Sequence, residues 1–519
     1  MSGRMWTTAG ATAACLAAAA LWPRSVNGGT YRISGVVVNA VTGQVMSKVR
    51  VLAAPDDGSA KEVERTTGAD GAFAFDRLAA GSWTLSAEAR GFVRQNYGEH
   101  TLYGAWGSSV VTGPEGVSEN LTFRLNPPAS IRGKVVDEDG EPVPYAHLQL
   151  LLQIPGGRKE FLVRKVAATD DLGEYRISGL PAAPCFLLVV VPLPTGNSGE
   201  AAGFMPQYYP NVTDYRAALP IQLRGGEEFT ADFTLRRGRG VAVEVEGSSG
   251  IVSGNDSELL VLLAPGPQES EVSAGTLGPG QGRVFYNVFP GRYKLIIGDV
   301  RSTFATSKWI EVGLRDLTVN LPFPDAPQVT AKVRVADGDA SLLGKAMLRL
   351  HTFADAGNNS RPLGPDGTAV FPAMAAGRHQ VTLAAPGLYV RSVTARNARV
   401  SDGLVDLPEK GPVQLEIVAA ADGAHIRGKV RADGKPVCGA LVVLAPARPS
   451  ANADDYHGYQ SDSDGTFDFP SIKPGDYTIF ATNDWQLEFA NPAAIEKYLA
   501  AGKRVKAAPR GSVELEIAP

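Results

Sequence analysis

Cysteine is scarce. Three stand in 519 residues, Cys15, Cys185 and Cys438. Cys15 belongs to an N-terminal leader, and neither of the others has a Cys or His neighbour at ligand spacing. Neither a disulfide framework nor a thiolate metal site is indicated. The six histidines, His100, His147, His351, His379, His425 and His457, are as sparse. None shows the H-E-x-x-H or H-x-x-E spacing of zinc hydrolases. G-x-S-x-G, the P-loop and a G-x-G-x-x-G after a strand are also missing. The reading is therefore non-enzymatic, with no catalytic residue, cofactor or metal assigned. Excess charge is absent too: the formal net charge is −4. That leaves no basic face for nucleic acid and no polybasic membrane patch. Past the leader the longest apolar stretch, "PCFLLVVVPLP", is too short to span a bilayer.

What is present is turn residue and apolar residue together. Gly (58) and Pro (36) are abundant while 44% of residues are hydrophobic, which argues for a folded chain of many short strands rather than disorder. Residues 1–28 carry Arg4 and then an uncharged Ala-rich run, the pattern of a signal peptide or N-terminal anchor. This places the protein outside the cytoplasm: secreted, periplasmic or at the cell surface, with no membrane contact beyond the leader.

One pattern returns five times: "TGADGAFAFDRLAAGSWTL", "TDDLGEYRISGLPAAPCFL", "GPGQGRVFYNVFPGRYKL", "LGPDGTAVFPAMAAGRHQV" and "SDSDGTFDFPSIKPGDYTIF". Its anchoring glycines are Gly71, Gly173, Gly282, Gly367 and Gly465. Alternate apolar residues follow each: Phe73/Phe75, Tyr175/Ile177, Val284/Tyr286, Ala369/Phe371 and Phe467/Phe469. Period two puts each pair on one face of a strand. The first glycine supplies a tight turn, and Pro290-Gly291 and Pro474-Gly475 suit type II turns with positive φ at glycine. A third column holds Trp83, Cys185, Tyr293, His379 and Tyr477, all expected in the core. Each repeat is preceded by a strand–turn–strand signature such as "IRGKVVDEDGEPVPYAHLQLLL" and closed by a strand such as "VELEI".

The fold expected is all-β: a tandem array of about five small transthyretin-like or Ig-like β-sandwiches, with one short helix near the C-terminus. The modules are 29–126 (module 1), 129–237 (module 2), 238–324 (module 3), 327–419 (module 4) and 423–519 (module 5). Proline-bearing joins at 126–130 and 323–327 predict an elongated rod. "NPAAIEKYLAAG" reads as the helix, with Asn491 as N-cap, Pro492 at N1 and Gly502 past its end.

The combination I-x-G-x-V, D-x-x-G-x-P-V-x-x-A and D-G-x-F-x-F-x-x-L-x-x-G-x-Y-x-L resembles the carboxypeptidase regulatory-like domain. That domain is a transthyretin-like (prealbumin-like) sandwich grouped with carbohydrate-binding-like folds. Modules 1, 2 and 5 carry the pattern well; 3 and 4 are diverged. "QYYPNVTDYRAALPIQLRGGEEFTADFTLRRG" looks like the tails of such modules in large secreted bacterial proteins. No peptidase domain accompanies them. The Lys–Asn isopeptide bond of related collagen-adhesin repeats is not expected, since no module pairs Lys and Asn on its first and last strands.

Long connections follow the Trp/Tyr-x-Leu strand in modules 1, 2 and 5. They hold Tyr97, Tyr103, Trp106, Tyr208, Tyr209 and Trp485, candidate rings for stacking on sugar; the alternative is that they cover open sheet edges. The acidic turns Asp462–Gly465 and Asp137–Gly140 resemble the start of a calcium loop. The twelfth positions, Lys473 and Leu148, are no ligands, so turn chemistry is the better account. The resemblance implies a multi-module scaffold binding carbohydrate. The second reading is a structural envelope protein that meets protein partners without binding sugar, and the third, remote one is an enzyme with an unrecognised site.

Overall fold

The computed structural model describes residues 30–100, 107–154, 156, 160–191, 203–246, 258–264, 270–277, 284–299, 305–320, 327–336, 340–344, 346–351, 359–372, 374 and 376–519. The leader lies outside them. The described residues are all-β, with one α-helix and a series of separate small sheets. Five hydrophobic cores follow one another along the chain, each confined to one module. Among the described residues no helix is long and apolar enough to cross a membrane.

Each module packs two sheets face to face. In module 1 one sheet centres on Tyr31–Asn39, antiparallel to Ala72–Leu78 and parallel to the closing strand Leu121–Leu125. The other centres on the pair Arg50–Pro55 and Gly81–Glu88. Module 5 repeats this with Ala424–Ala432 between Thr466–Ile472 and Ser512–Ile517, facing Leu441–Pro446 paired with Gly475–Thr482. Module 4 differs: Tyr389–Arg396 crosses over and adds a fourth strand beside Val413–Ala420.

The I-x-G signature has a steric cause. A Cβ at Gly35, Gly133 or Gly428 would lie 2.2, 1.9 or 1.9 Å from a carbonyl of the neighbouring closing segment (Leu121, Ala231, Leu515). Only glycine permits that approach. In the diverged modules 3 and 4, Val243 and Ala331 pair with Leu317 and Leu415, so their closing strands admit a side chain.

The anchoring glycines behave as expected where they are described. Gly71, Gly173, Gly367 and Gly465 have φ of 70–79°. Each accepts a hydrogen bond at its carbonyl from the first strand: Val37, Val135, Val333 and Val430 N–H, at 2.7–2.9 Å. Gly282 lies outside the described residues. In module 3 the inward residue is Phe285, while Val284 and Tyr286 are half-buried. The repeat is one residue out of step there, and one residue reverses the face of a strand.

The second turn corrects the expectation. Gly291 and Gly475 are not in the positive-φ region; they begin strands. A Cβ at either would touch the ring of the tyrosine two residues on, Tyr293 at 3.4 Å or Tyr477 at 3.5 Å. Glycine here makes room for a ring rather than bending the chain. The ring tips then reach back: Tyr477 OH donates to the Lys473 carbonyl (2.7 Å), and Trp83 Nε1 donates to Thr112 Oγ1 (3.1 Å). Cys185 and His379 fill the same column and are buried. Burial pushes the Cys185 thiol up to about 12, so it stays a protonated thiol, packed as a small apolar residue.

The helix is Pro492–Ala501. Asn491 Oδ1 caps it by accepting from Ala493 N–H (3.2 Å). Ile495, Phe480, Leu487 and Phe489 form a satellite core beneath it.

The rod is not observed. Module 5 returns to module 1 and packs against it, through Gly98, His100 and Ser108–Val117 on one side and Gly439 and Gln460–Ser463 on the other. Joins that are short and Pro-bearing restrict bending locally, but successive restricted bends can still bring the ends together.

Candidate functional site

A hydroxyl column precedes the anchoring glycine by four positions. Thr67 Oγ1 accepts from Val49 N–H (3.0 Å) and donates to the Met46 carbonyl (2.7 Å). Thr169 does the same with Ala146 and Val143, and Ser461 with Ala440 and Val437. Each hydroxyl satisfies one buried donor and one buried acceptor of the preceding turn. Sequence reasoning missed this column; its signal was a Thr or Ser at a fixed offset from the glycine in modules 1, 2 and 5.

The frame so built presents three residues at the tip of the turn. In module 5 these are Asp462, Ser463 and Asp464, and the first two hydrogen-bond across the seam with module 1. Ser109 N–H donates to Asp462 Oδ1 (3.0 Å), and Ser463 N–H donates to the Ser109 carbonyl (2.9 Å). Ser463 Oγ accepts from Val111 N–H (2.9 Å) and donates to the Val117 carbonyl (2.6 Å). Beside them Ser108 Oγ donates to the Ser461 carbonyl (2.8 Å), and Gln460 Nε2 donates to Gly98 O (2.7 Å) and Ser108 Oγ (2.9 Å). The segment Val110–Thr112 is an edge strand, and the turn of module 5 covers it.

An aromatic contact continues the seam. His100 stacks on Trp485 with ring centroids 4.5 Å apart, and its Nε2 donates to the Gly439 carbonyl (3.1 Å). Burial lowers the His100 pKa, so its ring is neutral near pH 7. Lys429 and Glu115 form an ion pair across the same seam (3.2 Å).

Asp462 is the unusual group. It is 6% exposed. Its Oδ2 accepts from Tyr459 OH (3.1 Å). Burial first, then the nearby Asp464 and Asp56 carboxylates, push its pKa up to about 8 against two favourable hydrogen bonds. Burial likewise raises the Tyr459 phenol well above its ordinary value. Among the described residues no three acidic, His or Cys groups are placed to hold a metal ion. In the other acidic turn Asp137 Oδ1 accepts from Asp139 and Glu141 N–H (3.0 Å each), and its second oxygen pairs with Arg237.

The four described aromatic candidates are not gathered on one face. Tyr97 packs edge-on against Phe123 in the core of module 1, centroids 5.7 Å apart, and burial pushes its phenol up to about 12. Tyr208 is buried with Leu151, Leu188 and Val190. Tyr209 meets Phe229 and Phe233 edge-on. Trp485 lies on His100. Tyr103 and Trp106 fall outside the described residues.

Residues 32–126 match the carboxypeptidase regulatory-like domain. That match covers module 1 and agrees with the resemblance carried by its repeat. Among solved structures, the Bacillus anthracis TIE protein is 9% identical over 96% of this chain and 75% of its own, with a TM-score of 0.17. The GBS52 minor pilin of Streptococcus agalactiae is 13% identical over 43% of this chain and 100% of its own, at 0.21. Two B repeat units of the Staphylococcus aureus collagen binding protein are 10% identical over 75% of this chain and 100% of their own, at 0.13. Superposition this poor carries no argument about what the chain does. No curated protein matches.

Proposed function

We propose that the chain is a non-enzymatic, multi-module scaffold working outside the cytoplasm, and that it acts through protein contacts of its sheet edges and turns. The observation that carries this reading is the seam: a framework turn of module 5 is spent on recognising an edge strand of module 1. Variation at turn tips and long connections is thus already used for protein recognition within the chain. The inward packing of Tyr97, Tyr208 and Tyr209 supports edge cover over sugar stacking for those rings. Trp485 is engaged by His100. Carbohydrate binding would rest on Tyr103 and Trp106. The leader supports a place in the envelope, at the surface or beyond it.

The test has two parts. In-cell crosslinking of the full chain is expected to capture protein partners in the extracytoplasmic fraction. A glycan array is expected to show no binding. Saccharide binding lost on Trp106→Ala or Tyr103→Ala, with folding intact, would replace this reading by the carbohydrate one.

A further inference from the structure

The seam between modules 1 and 5 places an acid where ionisation opposes contact. Asp462 is nearly excluded from water, at the junction of two modules that share no core. On the module 1 side it faces Asp56, whose carboxylate accepts from Thr84 Oγ1 and Ser109 Oγ (2.7 Å each). On its own side it faces Asp464, Tyr459 and, more distantly, the Cys438 thiol. Of the remaining titratable groups on the seam, Lys429 is paired with Glu115, and the His100 ring lies against Trp485. No cation is among the partners of Asp462 in the described residues. A carboxylate buried beside two others without a cation is held as the neutral acid.

We propose that the Ser461–Asp464 turn and the Ser108–Val117 edge are a reversible docking surface whose partner is the chain's own far module, and that the contact opens as Asp462 ionises. Separating the modules returns the Asp462 carboxyl to water, and its pKa falls towards the ordinary carboxylate range. The sign then follows from proton linkage. The closed form binds the proton more tightly, so closure is strongest below the ordinary carboxylate pKa. It weakens by about tenfold per pH unit as pH rises towards about 8, and levels off above that.

The experiment is small-angle scattering with in-line size exclusion on the full chain between pH 4 and pH 9. The radius of gyration of the monomer peak is expected to be smallest at acid pH and to grow with pH. Asp462→Asn removes the titration and keeps an amide in place of the acid, so its radius should not change over that range. Ser463→Lys, which places a charge in the seam, should be extended throughout and marks the open limit. Hydrogen exchange in the module cores checks that each variant is folded. A wild-type radius that is constant with pH, or an Asp462→Asn chain that opens over the same range, would overturn the proposal.

Discussion

The turns at Thr67–Gly71 and Ser461–Gly465 have the same frame and opposite surroundings. Both place a hydroxyl four residues before a positive-φ glycine, and both lock that hydroxyl to the preceding turn with the same pair of bonds. In module 1 the tip residues Gly68, Ala69 and Asp70 are exposed; in module 5 Asp462, Ser463 and Asp464 are buried. The frame decides that a rigid loop projects from the sandwich. The residues at its tip decide whether that loop meets water or another module. Fold and recognition are thus carried by different positions of one short motif.

The largest effect should come from the frame. Gly465→Ala forces an L side chain into φ 78°, with its Cβ 2.6 Å from the Val430 carbonyl. The left-handed conformation alone costs about 1–2 kcal/mol, and displacing the first strand should bring the total to about 3 kcal/mol. Gly71→Ala meets Val37 O at 3.0 Å and should cost less, about 2 kcal/mol. Hydrogen exchange of the two module cores in the full chain measures both. Negligible losses would break the claim that the frame needs glycine at this position, and equal losses the claim that the closer approach in module 5 costs more.

Next come the hydroxyls. Ser461→Ala strands the Ala440 amide and the Val437 carbonyl; Thr67→Ala strands those of Val49 and Met46. Each should cost about 1–3 kcal/mol, the usual penalty for unpaired buried groups. The two losses should agree, because both hydroxyls do the same work. A much larger loss for Ser461 would mean that the seam, rather than the frame, depends on it.

The tips should then separate what the frame holds in common. Ser463→Ala removes the bonds to Val111 and Val117 and should weaken closure by about 1 kcal/mol while leaving the module 5 core intact. Ala69→Ser in module 1 places the same hydroxyl in solvent and should stay within about 0.5 kcal/mol of wild type. Scattering reads the first, and thermal unfolding the second. A stability change in module 1 equal to that seen in the seam would show that the two tips are not different in kind.

Much of the frame was legible because it is periodic. Phe73/Phe75 and Phe467/Phe469 alternate beside a glycine, and burial follows directly from that spacing. Module 3 slipped by one residue because Val284, Phe285 and Tyr286 are all apolar, and such a run does not say which face is inward. Gly475 was misjudged because Pro-Gly favours a type II turn locally, while the Tyr477 ring two residues on needs the space a side chain would take. The seam left no trace of any kind. Asp462 and Ser109 are far apart in the chain, and a polar turn destined for a buried contact has the same composition as one destined for water. Of the aromatic candidates for sugar stacking, Trp485 lies against His100 of module 1.

The smallest effect sharpens the comparison from the outside. Lys429 projects from the first strand of module 5, where it meets Glu115 of module 1; Glu115 is 85% exposed. Exposed pairs of this kind contribute about 0.2–1 kcal/mol and less as salt rises. Lys429→Ala should therefore shift closure by no more than about 0.5 kcal/mol, and the shift should vanish in high salt. The module 5 core should be untouched. If scattering instead shows the chain fully extended in Lys429→Ala at low and high salt alike, the seam is held by rim charge, and the buried turn tip is not what distinguishes module 5 from module 1.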